Sequence, residues 1–133
     1  MNVILNLTIK SRWFGMIASG EKREEYRSVD NRNVAAAYKR LSSYEWPFAS
    51  CMMILRNGYR MDSRALAIRL LDMTIRSGAQ ARHPEWGEPT DKGPHFVIMF
   101  DRIISRGTYA EIKETSKLTR KAKASLEKDG GDE

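Results

Sequence analysis

A single α+β domain is the fold class that this sequence predicts, on three observations. Segments that alternate apolar and polar residues, or run continuously apolar between turn residues, recur up to residue 104 and read as strands. Shorter stretches whose apolar residues lie one helical turn apart are placed between them. Finally, 41% of the 133 residues are apolar, including three Trp, five Tyr and four Phe, enough for one buried core in a chain too short for two.

Val3, Leu5, Leu7 and Ile9 alternate with mostly polar neighbours, which predicts a strand with four apolar side chains on one face. Ser11 stands where it can cap a short helix in which Trp13 and Ile17, and Phe14 and Ala18, are one turn apart. Gly20 follows at the position of a left-handed C-terminal cap. Glu24 to Val29 reads as a second strand entering a loop at Asp30-Asn31. A helix carrying Val34, Tyr38 and Leu41 then runs to near Ser43.

Cys51 to Leu55 is apolar throughout and stops at Asn57-Gly58, a pair that readily takes the positive φ of a tight turn. Ala65 to Ile75 is too densely apolar for clean alternation; we assign it as a strand covered on both faces, with a helix as the alternative. Gly78 to Pro94 holds Pro84, Pro89 and Pro94 and is expected to be an irregular connection, a length that usually marks function or mobility. His95 to Ile104 reads as the last core strand. Thr108-Tyr109-Ala110-Glu111 has the spacing of a capping box, which predicts a helix to about Lys128. The expected organisation is one domain over residues 1–107 and a basic helical tail over 108–133.

Charge and cysteine usage narrow the function classes. Lys and Arg number 23 against 17 Asp and Glu, a formal charge of +6, which favours polyanions and nucleic acid first, because neutralised phosphates release counterions. Cys51 is the single cysteine and lies in an apolar run, so it reads as a small buried hydrophobe. Neither a disulfide framework nor a Cys-rich metal site can be built, which fits a reducing, cytoplasmic setting. His83 and His95 are not at metal-ligand spacing, and no metal or cofactor is expected. The first ten residues lack the features of a signal peptide, and no window approaches the ~20 apolar residues of a spanning helix. Neither secretion nor membrane insertion is expected.

The most informative stretch is Gly20-Glu21-Lys22-Arg23-Glu24-Glu25-Tyr26-Arg27, dense in charge directly after an apolar helix. If Glu25 to Arg27 is extended, the two-residue period puts the carboxylate and the guanidinium on one face and Tyr26 on the other. Lys22, in the turn before them, is within reach of the same side. A cation, a carboxylate and a planar five-donor fork suit a phosphate together with a polar base edge. The alternative is a solvated strand with local ion pairs, each worth about 0–1 kcal/mol.

Gly20, Lys22, Glu25 and Arg27 spell G-x-K-x-x-E-x-R, and in this they resemble ASCH domains, over about residues 3–105. ASCH domains are similar to PUA domains, so the resemblance implies a small, partly open mixed β-barrel with flanking helices and an RNA-linked ligand in the cleft beside the signature. Some relatives are hydrolases of RNA or modified nucleosides in which the signature lysine is catalytic, which makes Lys22 and Glu25 candidate catalytic residues. A lysine base requires a pKa lowered toward neutrality. The amidohydrolase relatives place a hydroxyl residue where this chain has Glu25, so hydrolysis here would need Glu25 to activate water.

Arg82-His83-Pro84-Glu85-Trp86-Gly87-Glu88, in the predicted loop, is the other constellation. Trp86 would stack on a base and Glu85 would complete an acid–base set, or Trp86 would only pin the loop to the barrel. The tail offers Lys117, Arg120, Lys121, Lys123 and Lys128 with a thin apolar stripe. This suits a solvated appendage or a helix that docks a protein partner.

Overall fold

The computed structural model describes residues 2–42, 51–77 and 93–114. The strands are β1 (Asn2–Thr8), β2 (Glu24–Ser28), β3 (Cys51–Arg56), β4 (Arg64–Ser77) and β5 (Pro94–Thr108). Helix α1 is Ser11–Ala18, α2 is Arg32–Ser42, and α3 begins at Tyr109 and is described over 109–114. One mixed sheet runs in the order β1-β3-β4-β5-β2, with β1 and β3 parallel and the other neighbouring pairs antiparallel. Residues 43–50, 78–92 and 115–133, which hold His83, Glu85, Trp86 and most of the tail, lie outside the described residues. Pro94, expected as the last residue of the loop, opens β5, a position where its missing N–H costs the ladder least.

The sheet buries both faces in its first half. Leu5, Leu7, Cys51, Met53, Leu55, Leu66, Ile68 and Leu70 join Phe14 and Ile17 of α1 and Val34, Ala37 and Leu41 of α2 in the main core. On the other face Met52, Ile54, Ala65 and Ala67 pack with Tyr109 and Ile112 of α3. Two-sided burial explains why β3 and β4 show no clean alternation and why the strand reading of 65–75 holds. In β1, Val3 pairs with Met52 but Leu5 pairs with Met53, so Ile4 is an inserted residue. That bulge moves Val3 to the second cluster, away from the face it was expected to share with Leu5, Leu7 and Ile9.

Local signals explain the helix ends, with one exception. Gly20 takes φ 84° and its amide donates to the Ile17 carbonyl at 3.0 Å, the left-handed ending expected after α1. The cap of α1, however, is Lys10 without a side-chain hydrogen bond, because the Ser11 hydroxyl donates instead to Asn57 Oδ1 at 3.2 Å. Asn31 Oδ1 accepts from the Val34 amide and starts α2. The capping box forms as spelled: Thr108 Oγ1 donates to Glu111 Oε1 at 3.0 Å and accepts from the Glu111 amide at 3.3 Å.

Among the described residues the sheet is not closed into the barrel that the resemblance implies: β1 and β2 are its two edges and share no ladder. Three register shifts along β4 and β5, at Ala67/Ile68, Ile68/Leu70 and Leu70/Asp72, mark bulges that bend the sheet. A side chain spans the gap between the edges, since Arg27 Nη2 donates to the Thr8 carbonyl at 2.9 Å.

Candidate functional site

β2 pairs with β5 so that Glu25 lies opposite Ile98 and Arg27 opposite Phe96, both main-core residues. Directly paired residues of antiparallel strands share a face, so both charges point to the main-core side of the sheet. The two-residue period therefore does what the sequence predicts. Lys22 is delivered by the turn after α1, its amide bonded to the Met16 carbonyl at 2.9 Å.

The three charges form one buried unit. Glu25 Oε1 accepts from Lys22 Nζ at 3.0 Å and from the Tyr26 amide at 3.1 Å, and its Oε2 accepts from Arg27 Nη2 at 3.1 Å. Lys22 is 1% exposed and Glu25 4%, whereas the Arg27 side chain keeps 24% of its surface in solvent. Lys22 Nζ also sits 4.8 Å from the Trp13 ring centroid and 5.6 Å from that of Tyr26. Burial lowers the Lys22 pKa; the charge and hydrogen bond of Glu25 oppose this and Arg27 adds to it.

An open cleft of about 740 Å³ lies before this unit, lined among others by Lys10, Trp13, Glu25, Arg27, Asn57 and Tyr59. Both hydrogen bonds of Arg27 use Nη2, which leaves Nε and Nη1 as separate donors without a hydrogen-bond partner among the described residues. Tyr59, 86% exposed, is carried on a braced turn. Arg56 donates to the carbonyls of Gly58 at 2.7 Å and Arg60 at 3.0 Å, and Gly58 takes φ 122°, where an added Cβ would stand 2.9 Å from Ser63 Oγ.

Of the residues singled out in the sequence, Lys22, Glu25 and Arg27 come together. Gly20 does not line the cleft; it shapes the turn that delivers Lys22. Lys10, Trp13 and Tyr59 are cleft residues that sequence reasoning passed over or read only as a helix position. Tyr59 carries a signal, an aromatic residue directly after Asn57-Gly58 in an otherwise polar turn, whereas nothing local marks Lys10. His95 is fully buried on the opposite face of the sheet, edge-on to the Tyr26 ring at 6.0 Å. Beside it Tyr26 Oη donates to Glu24 Oε2 at 2.8 Å and Arg76 Nη1 stands 3.9 Å from the same oxygen. There Thr74 Oγ1, Arg76 Nη1 and His95 Nε2 are buried without a hydrogen-bond partner among the described residues. No group of three or more His, Cys, Asp or Glu able to hold a metal occurs among the described residues.

The chain matches no protein-family model and no curated protein. Its structure is similar to the crystal structure of a serine-to-alanine mutant of ZmASCH from Zymomonas mobilis, with a TM-score of 0.50 at 10% identity, over 84% of this chain and 78% of that one. Identity that low speaks to fold alone, and the fold agrees with the arrangement just described. This chain has an ASCH-domain fold.

Proposed function

We propose that the cleft binds RNA or a nucleotide-like ligand. The observation that carries this reading is the pair of Arg27 donors, Nε and Nη1, that make no hydrogen bond among the described residues, beside a cleft of about 740 Å³ lined by Trp13 and Tyr59. Either charged donor can take a phosphate oxygen, and aromatic side chains on the walls stack a base of any identity. Lys10 adds a second cation, and Glu25 fixes Arg27 in place more than it contacts the ligand, since both its oxygens already accept hydrogen bonds. Glu85 and Trp86 belong to the same proposal as further ligand contacts. So does a cytoplasmic setting, and no helix among the described residues is long and apolar enough to cross a membrane.

The test is titration of the protein with a panel of nucleoside monophosphates by calorimetry. Wild type binds at least one, and Arg27→Gln weakens that binding by about 10- to 100-fold, the worth of a charged hydrogen-bond pair. Absence of binding to any member, or equal binding by the variant, refutes the reading.

One observation favours hydrolysis as a second reading: the Lys22 pKa is lowered, as a lysine base requires. Against it, the Lys22 side chain has no exposed surface and both Glu25 oxygens are occupied. Product formed from RNA or a modified nucleoside by wild type and not by folded Lys22→Ala would establish it. A tail helix that docks a protein partner remains a third reading and rests on residues beyond those described.

A further inference from the structure

A second depression lies at the other end of α1. It measures about 530 Å³ and is lined by residues from Ile17 to Gly20, by Lys22, which does not line the cleft, by Arg23 and Ile68, and by β5 from Phe100 to Ile103 with Arg106. A smaller one of about 260 Å³ adjoins it through the shared Arg106 and adds Arg64, Phe14 and Glu111. Four arginines drawn from three separate segments, Arg23, Arg64, Arg102 and Arg106, thus border these two depressions, with Arg106 common to both.

Local acids offset them only in part. Of the two carboxylates in the lining, Asp101 is bound by Arg69 from β4, whereas Glu111, held by Thr108 in the capping box of α3, keeps its charge beside Arg64 and Arg106. Arg23, Arg102 and Arg106 are exposed and make no ion pair among the described residues, while Arg64 stacks its guanidinium 5.3 Å from the Phe14 ring centroid. Like charges gathered in a concave surface raise one another's attraction for an anion, and unpaired guanidinium groups are the side chains best suited to phosphate. Spacing along β5 contributes: the bulges near Ile68 and Leu70 offset Arg102 and Arg106 from the plain two-residue alternation, yet both end in the same lining.

We infer that this arginine-lined groove is a second binding site, which takes the sugar–phosphate backbone of a nucleic-acid strand. It deepens the reading of the cleft and rests on it only for the choice of nucleic acid over other polyanions. α1 contributes Ser11 and Trp13 to the cleft and Ile17 to Ala18 to the groove, so a strand with one nucleotide in the cleft can pass its backbone along the other.

The experiment measures binding of the whole chain to a short single-stranded oligouridylate across a salt series, with uridine monophosphate in parallel. Arg102→Gln/Arg106→Gln is compared with wild type, and Arg23→Gln serves as an independent variant. Each phosphate contact on a single strand contributes about 0.7 to the slope of log affinity against log salt. The double variant is expected to lower that slope by about 1.4 and Arg23→Gln by about 0.7, with mononucleotide binding unchanged in both. Unchanged slopes in both variants, or no binding of the oligonucleotide by wild type, overturn the groove. Slopes that fall although no mononucleotide binds uphold the groove and remove the cleft reading instead. Equal weakening of mononucleotide and oligonucleotide also overturns it, because the arginines then act through the cleft.

Discussion

β2 sends Glu25 and Arg27 to one side of the sheet and their neighbours Glu24 and Tyr26 to the other, and each side assembles a carboxylate, a cation and an aromatic ring. On the first side, both oxygens of Glu25 accept hydrogen bonds, from Lys22, the Tyr26 amide and Arg27, at 3.0 to 3.1 Å. On the second, Glu24 accepts from Tyr26 but stands 3.9 Å from Arg76, and three buried polar atoms of Thr74, Arg76 and His95 have no hydrogen-bond partner among the described residues. An unmet buried polar group costs about 1–3 kcal/mol. A paired one near a cleft is instead held in a single geometry, which lowers the entropic cost of meeting a ligand. Alternate side chains of one five-residue strand therefore do different things: one side is arranged to present Arg27, and the other carries an uncompensated desolvation cost.

The largest way to break this contrast is to remove the acceptor of the paired side. Glu25→Ala strands the Lys22 cation in the interior and is expected to destabilise the protein by about 3–5 kcal/mol, read by urea unfolding. A loss under about 1 kcal/mol would mean that the unit is solvated and the two sides are alike.

Tyr59→Ala separates ligand energetics from folding. Stability should stay within about 0.5 kcal/mol because the ring is 86% exposed. Nucleotide affinity should fall by about 1–3 kcal/mol for the lost base stack, measured by calorimetry. On the unpaired side, Thr74→Val keeps the shape and deletes an unsatisfied hydroxyl, so a gain of about 1 kcal/mol in thermal or denaturant stability is expected. A loss instead would show that the hydroxyl has a partner in solution.

The smallest effect is a pH dependence. Because the folded-state pKa of Lys22 lies below its ordinary value of 10.5, the unfolded chain binds more protons between those two values. Stability carried by this group must then rise with pH across that window. The difference between wild type and Lys22→Met, followed by unfolding at several pH values, should show a rise that belongs to wild type alone.

Spacing over a few residues was enough to read much of this molecule. The capping box at Thr108 and Glu111, the left-handed Gly20, and the common face of Glu25 and Arg27 follow from covalent geometry within one turn or one pleat, so they are legible without knowing what packs nearby. The bulge at Ile4 was not legible, because whether an extra residue is inserted depends on the partner strand. Nor was the enclosure of Lys22, which needs the Trp13 ring from α1 over it, nor the arrival of Tyr59 beside Arg27 from a turn 32 residues further along. Burial and convergence are properties of segments brought together by the whole core, and their energies do not exist until that core has formed.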